Sequence, residues 1–272
     1  MFERVTLFCF AASYAVALGL EVWHQRRPRP VLRLVGLGFG GAGLLAQTIY
    51  LAVHRPPLGW QFGWLLVLAW VLAIFYLYGS LHHRRLAWGI FTLPLVLGLV
   101  GVATLFGPPT REGERVTGIF TVEEEKFLGM AHATALLLAA VGVCVGFVAS
   151  VMYLTQARRL RAKLMPSEGL RLPSLERLEE MNRRALAWAF PLLTVGVLSG
   201  LVLMVRLADH IADWTDPRVL AAILLWVVFA LLLYLRFGLH LRGRRVAVLT
   251  IAAFGLLLVT LVLPHMGRGG LP

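Results

Sequence analysis

The chain alternates between long apolar runs and short polar connections along its whole length. A helix needs about 20 mainly apolar residues to cross the hydrocarbon core of a bilayer. Eight runs approach that length, so the pattern predicts an all-α protein, a polytopic membrane helix bundle with about eight transmembrane helices. The predicted spans cover residues 5–23, 31–53, 60–81, 86–106, 127–154, 185–207, 218–237 and 246–264.

Two connections between the spans are long enough to carry structure of their own. The segment 155–184 has alternating charges, which predict a surface helix after Pro173. The segment 107–126 contains a capping box, Thr121-Val122-Glu123-Glu124, which predicts a helix start before the fifth span. Neither connection contains a soluble domain, so residues 1–272 are expected to form a single transmembrane domain.

Lysine and arginine are divided unevenly between the two sets of connections. Eighteen of the 26 lie in one set, which contains the segments 24–33, 82–85, 155–184 and 236–245. Basic residues accumulate on the cytoplasmic side of membrane proteins, so this set is predicted to be cytoplasmic. Because the number of spans is even, both termini are then extracytoplasmic, and we expect a multi-pass protein of the bacterial cytoplasmic (inner) membrane.

The composition agrees with lipid as the solvent. The 272 residues are 59% hydrophobic and 15% charged, whereas about a quarter of the residues of a soluble domain are charged. The net charge of +12 is divided among short clusters between apolar runs, which indicates membrane lipid as a partner and argues against nucleic acid. Cys9 and Cys144 form no Cys-x-x-Cys motif, which argues against a redox centre and against covalent attachment of a c-type haem.

Three pairs of glycines are spaced four residues apart within the spans: Gly36/Gly40, Gly142/Gly146 and Gly196/Gly200. This spacing favours close packing between helices, and it is also compatible with room for a flat ligand between them. The glycine-rich segment 36–43 looks like a phosphate-binding loop. No strand precedes it and it lies inside a span, so that interpretation fails.

The predicted topology divides the eight histidines into two sets of four. The cytoplasmic set lies beside arginines, which indicates contact with lipid headgroups; it consists of His24, His82, His83 and His240. The outer set consists of His54, His132, His210 and His265. His132 lies about five residues inside the fifth span, roughly 7 Å deep at 1.5 Å per residue. An ionisable side chain at that depth is costly unless it is paired or bound to a metal.

His265 ends the eighth span near the same membrane face as His132. Two imidazoles at one depth on different helices can bind one metal ion or one haem iron, for which neutral histidine is a common axial ligand. Separately hydrogen-bonded histidines are the alternative that the spacing leaves open. Trp214 belongs either to an interfacial aromatic belt or to an aromatic shelf for a porphyrin. Asp216 before Pro217 is typical of a helix start.

The chain has no recognisable pair of nucleophile and base. Its serines are scattered without a partner histidine, and Glu21 is the one acid inside a predicted span. This pattern argues against a proton-relay pump and against an intramembrane aspartyl protease. No catalytic activity is therefore expected of the chain itself.

The order of several short segments resembles the cytochrome c assembly family (CcsA/CcmC/HemX), most closely its HemX-like branch, and the resemblance is best over 127–265. The segments are His132 with Ala139 in a span that ends Tyr153-Leu154-Thr155-Gln156; Leu172-Pro173-Ser174-Leu175-Glu176-Arg177-Leu178-Glu179; Pro191-Leu192-Leu193-Thr194-Val195-Gly196 with Gly200; Asp216-Pro217-Arg218 followed by Trp226; Leu241-Arg242-Gly243-Arg244-Arg245; and His265.

The resemblance implies a haem, as haem b, held at the extracytoplasmic face by two histidines that flank a tryptophan-rich segment ending in aspartate. By position, His132 and His265 match the two ligands of the haem iron. Trp214 and Asp216 match the end of the tryptophan-rich segment. His54 resembles a further histidine of the CcsA branch.

This chain departs from the family pattern inside that segment. It has one tryptophan there, where full cytochrome c synthetase subunits have several, and Val219 follows Arg218 where the family has an acid. HemX-like relatives share the fold and are linked to the biosynthesis or handling of haem.

The resulting hypothesis is a haem-binding, haem-handling membrane protein of cytochrome c maturation. It would deliver haem at the extracytoplasmic face, together with cytochrome c maturation partner proteins. One alternative is a HemX-type membrane regulator or assembly factor that acts on a haem-biosynthesis enzyme through the segment 155–184, without haem transport. The other is a small-solute transporter, which would need inverted repeats and interrupted helices that the sequence does not show.

Overall fold

The computed structural model describes residues 7–27, 29–54, 63–82, 87–106, 123–163, 170, 172–207, 217–239, 241 and 243–262. Within these residues the chain forms eight α-helices and no strand. The helices are α1 (Leu7–Arg26), α2 (Pro30–His54), α3 (Gly63–His82), α4 (Trp88–Phe106), α5 (Glu123–Arg161), α6 (Leu175–Leu207), α7 (Pro217–Phe237) and α8 (Arg244–Val262). Each predicted span overlaps one helix, so the predicted all-α bundle is confirmed.

Seven of these helices, α1 to α7, are long and apolar enough to cross a membrane. Large apolar side chains on the surface agree with lipid as the surrounding solvent. Phe8 is 78% exposed, Leu105 81% and Trp188 75%, and a water-soluble protein rarely exposes so many such groups together. The chain is therefore a multi-pass membrane protein.

The predicted surface helix after Pro173 is not a separate element. A helix does begin at Leu175, but it continues without a break to Leu207 and includes the sixth predicted span. Leu178, Asn182 and Leu186 are buried at intervals of four residues, so one buried stripe continues from the charged part of α6 into its apolar part. At the fifth span, α5 begins at Glu123, while the first two residues of the predicted capping box lie outside the described residues.

The chain forms two compact units, and the first contains α1 to α4 together with Arg159–Pro173. Its core includes Tyr14 and Tyr76, both fully buried. The Tyr14 hydroxyl donates to Gln47 Oε1 at 2.7 Å, and Gln47 Nε2 donates to the carbonyl of Leu66 at 3.0 Å. These bonds connect α1, α2 and α3. The ring of Tyr76 packs on Gly40, where an added Cβ would lie 2.7 Å from Cε1.

The second unit contains α5 as far as Arg158 and α6 to α8. Aromatic contacts join its helices: Phe190 stacks on Trp226 with ring centroids 5.7 Å apart, and Phe147 stacks on Phe254 at 4.1 Å. The indole Nε1 of Trp226 also donates to Thr194 Oγ1 at 2.9 Å. The small residues of α5 and α6 meet along this unit, and they position the candidate site.

Candidate functional site

His132 is the one predicted site residue whose side chain the structure describes. His265, Trp214 and Asp216 lie outside the described residues, and of His54 only the backbone is described, at the end of α2. Within the described residues, no group of three or more histidine, cysteine, aspartate or glutamate side chains could hold a metal ion. That His132 and His265 share one site therefore stays a prediction.

The imidazole of His132 is half-buried and hydrogen-bonded to the backbone of α6. Its Nδ1 lies 2.7 Å from the carbonyl oxygen of Gly196. A carbonyl oxygen only accepts hydrogen bonds, so Nδ1 carries the hydrogen and donates it. The buried ring nitrogen is thereby satisfied, as a polar group inside a span must be, and Nε2 takes no part in this bond.

The ring of His132 lies directly on the backbone of Gly200. A Cβ atom added at Gly200 would be 2.7 Å from His132 Cε1 and 2.9 Å from its Nδ1. One turn away, a Cβ atom at Gly196 would be 2.5 Å from Leu136 Cδ2. Both distances are too short for non-bonded carbon atoms, so these glycines are what allows α6 to approach His132 and Leu136.

Ser199 is next to the same carbonyl. Its Oγ lies 2.7 Å from the carbonyl oxygen of Val195 and 3.0 Å from that of Gly196. The shorter contact is the usual bond of a helical serine to the preceding turn. At the carbonyl of Gly196, the contact with His132 Nδ1 is therefore shorter than the contact with Ser199 Oγ.

Close approach continues along α5 and α6 towards the C-terminal end of α5. A Cβ atom added at Gly142 would lie 2.9 Å from Ala189 Cβ, and a Cβ atom added at Gly146 would lie 3.6 Å from Leu186 Cδ2. As residue numbers rise along α5 they fall along α6, so the two helices run antiparallel. Close helix–helix packing, one of the two interpretations of the glycine pairs, is confirmed here. Side chains of the neighbouring helix occupy the space beside each of these glycines.

A buried polar cluster lies further along the same helices. Asn182, 4% exposed, donates through Nδ2 to the carbonyl of Gly146 at 3.0 Å, to Ser150 Oγ at 2.9 Å and to Thr250 Oγ1 at 3.2 Å. Arg236 donates to Asn182 Oδ1. The sequence alone does not indicate this cluster, because an arginine near the end of a predicted span is also typical of membrane anchoring.

The two described histidines of the set predicted to be cytoplasmic have local contacts. His24 Nδ1 lies 3.0 Å from the carbonyl of Arg29. The ring of His82 stacks on Tyr78 with centroids 4.2 Å apart, and its Nδ1 lies 3.3 Å from the carbonyl of Tyr78. Neither contact brings a second imidazole or an acid to the histidine, so the geometry gives no metal site at either residue.

Comparison with known proteins gives one family. The family model described as "Cytochrome C assembly protein" matches residues 59–268. A protein named cytochrome c biogenesis protein CcsA from Synechococcus sp. (strain JA-2-3B'a(2-13)) is 27% identical, over 94% of this chain and 91% of that protein. CcsA from Mesostigma viride is 23% identical over 79% of each chain. No solved structure matches.

Proposed function

Because the chain belongs to the cytochrome C assembly protein family, we propose that it works in cytochrome c maturation as a haem-binding, haem-handling membrane protein. In this proposal residues 1–272 act as one transmembrane domain that presents haem at the extracytoplasmic face. The relatives named CcsA support the assignment to cytochrome c biogenesis. Closeness to the HemX-like branch stays a prediction.

The observation that carries the proposal is the hydrogen bond from His132 Nδ1 to Gly196. Histidines that bind metals commonly donate their other ring N–H to a carbonyl or carboxylate, which fixes the ring and its tautomer. His132 has this arrangement without a carboxylate partner. A neutral imidazole held this way has one nitrogen left to bind iron, so the described part of the site fits an axial ligand of haem.

The remaining ligand set is proposed from position in the chain. His265 would be the second axial ligand, Trp214 would stack beside the porphyrin, and Asp216 would close the segment between the two histidines. His54 would be a further histidine near the site. Haem b suits this set, since the chain has no Cys-x-x-Cys motif for covalent attachment. When bound, haem supplies an iron centre whose axial ligands set its affinity and reduction potential.

The proposed location follows from the arginine distribution. In the proposed location, the bacterial cytoplasmic (inner) membrane, the arginine-rich ends of α1, α3, α5 and α7 would face the cytoplasm and His132 would lie near the outer face. Haem and cytochrome c maturation proteins would then meet the chain at the extracytoplasmic surface. The exposed apolar side chains of the helices support a location in a membrane.

Absorption spectroscopy tests the proposal. The protein is purified in detergent, supplemented with haem, and freed of excess haem before its spectrum is recorded. We expect a Soret band that is lost or shifted in the His132→Ala/His265→Ala double variant. The matched control is His82→Ala, which removes a histidine held by local contacts with Tyr78. The absence of a Soret band in the wild type, or a band that the double variant leaves unchanged, contradicts the proposal.

A second candidate is a regulator that acts on a haem-biosynthesis enzyme through the cytoplasmic segment. The exposed charges at the start of α6 favour it, because Glu176 and Arg177 point into solvent there. Reversing them, as Glu176→Lys/Arg177→Glu, leaves the buried Leu178 and Asn182 in place. If the chain works through this surface, the double variant loses function and keeps the haem spectrum. Preserved function counts against this candidate.

A further inference from the structure

The backbone of α6 fixes the His132 ring in two ways. The carbonyl of Gly196 accepts from Nδ1 at 2.7 Å, and the bare backbone of Gly200 supports the ring at Cε1 and Nδ1. We propose that Gly196 and Gly200 are positioning residues that hold His132 as the neutral tautomer with hydrogen on Nδ1, so that the Nε2 lone pair is available to iron. This inference rests on the proposed function, and it assigns to α6 a role in preparing the ligand.

The choice of tautomer follows from the chemistry of the partner. A neutral imidazole has one N–H and one lone pair, and which nitrogen has which is set by hydrogen bonding. The carbonyl of Gly196 can only accept a hydrogen bond, so the hydrogen must be on Nδ1. In the neutral ring the lone pair is then on Nε2.

The position of the ring follows from the absence of a side chain at residue 200. An alanine there would place its Cβ 2.7 Å from Cε1 and 2.9 Å from Nδ1, and 3.7 Å from Nε2. The methyl group would therefore press on the edge of the ring that faces Gly196, and it would lengthen or break the bond from Nδ1. Nothing in the helix itself requires glycine at this position, since α6 is regular from Leu175 to Leu207.

Three control substitutions separate positioning from general packing. Gly142→Ala disturbs the same pair of helices, but its Cβ meets Ala189 and not His132. Gly255→Ala adds a methyl group where no atom lies within 4 Å. Ser199→Ala removes the longer contact to the Gly196 carbonyl and leaves the His132 bond in place. A structural role alone would make Gly200→Ala behave like Gly142→Ala.

Nitrogen NMR on haem-free protein labelled with 15N-histidine measures the tautomer directly. The His132→Gln variant assigns the signals. We expect the wild-type spectrum to show the His132 hydrogen on Nδ1. In Gly200→Ala we expect that signal to be lost, or to be replaced by the signal of a ring whose hydrogen exchanges between Nδ1 and Nε2. The three control variants should keep the wild-type signal. In haem titrations, Gly200→Ala should also weaken haem binding roughly 10- to 100-fold, the usual effect of losing a group that orients a ligand.

The outcomes distinguish the inference from the function on which it rests. A wild-type His132 with hydrogen on Nε2 overturns the inference, and so does a Gly200→Ala spectrum identical to that of the wild type. The wild-type measurement does not depend on Gly200→Ala, so it decides the tautomer even if that variant fails to fold. A wild type that shows Nδ1–H and takes up no haem overturns the proposed function and leaves the tautomer as inferred.

Discussion

The guanidinium of Arg236 is buried against Asn182. Arg236 is 7% exposed; it donates to Asn182 Oδ1 and, through Nη2, to the carbonyl of Glu179 at 2.8 Å. A buried charge is tolerated only where hydrogen bonds replace its hydration. Asn182 supplies one such bond and, with its amide nitrogen, connects to α5 and α8. One side chain therefore links four helices of the second unit.

Replacing Asn182 by leucine keeps the volume and removes these bonds. Leaving a buried partner unsatisfied costs about 1–3 kcal/mol, and more when that partner is charged. We expect Asn182→Leu to lower the free energy of unfolding in detergent by at least that amount, measured by chemical denaturation. The control is Arg184→Leu, two residues away on the exposed side of α6, which should leave the unfolding midpoint unchanged. An Asn182→Leu protein as stable as the wild type would show that the cluster contributes nothing.

The eight helices could be predicted from the sequence because a membrane span is a local property. The thickness of the bilayer sets the length of a span, so a run of about 20 apolar residues is enough to identify one. The start of α7 is also a local property of the sequence: Pro217 occupies the first helical position, as predicted. The error at Pro173 came from reading charge alternation as a separate helix. The buried stripe through Leu178 and Leu186 that joins the two parts becomes visible only when the neighbours are known.

The partners of His132 could not be predicted from the sequence. Helices that are apolar all round carry little periodicity to indicate which face is buried, so the register of α5 on α6 is not readable from the chain. The depth of His132 indicated that it needed a partner. The small residues Gly196, Ser199 and Gly200 lie on one face of α6 at the spacing of i, i+3 and i+4, and this was the signal that could have suggested where the partner lies.

The contact between Gly142 and Ala189 predicts that α5 and α6 tolerate no added methyl group there. A Cβ atom at Gly142 would be 2.9 Å from Ala189 Cβ and 3.1 Å from the carbonyl oxygen of Ala185. Both are fixed to the backbone, so the two helices must separate locally at Gly142, and overpacking of this kind costs about 1–3 kcal/mol. We expect Gly142→Ala to lower the unfolding midpoint, whereas Gly255→Ala in the same unit should keep or raise it. Equal stability of the two variants would contradict the close contact.

The pair Tyr14 and Gln47 predicts a coupling in the first unit. Both side chains are fully buried, and the hydroxyl donates to the amide oxygen at 2.7 Å. Removing one partner leaves the other buried without its hydrogen bond, while replacing both by apolar groups of similar shape is much less costly. We expect Tyr14→Phe and Gln47→Leu each to destabilise the protein, and the double variant to cost about 1 kcal/mol less than the sum. Strict additivity in this double-mutant cycle would show that the bond does not contribute.

The arginine distribution predicts which side of the membrane each connection faces. Single cysteines can test it after Cys9 and Cys144 are replaced by serine and alanine: Gly113→Cys in one outer connection, Leu271→Cys near the C-terminus, and Ser167→Cys in the segment 155–184. A membrane-impermeant maleimide applied to whole cells should label the first two and should reach Ser167→Cys only after permeabilisation. The physical reason is that a cluster of arginines resists transfer across the bilayer during insertion, whereas the acid-rich outer connections do not. Labelling of Ser167→Cys in intact cells would show that the true topology is the reverse of the predicted one. His132 would then lie near the cytoplasmic face instead of the outer one.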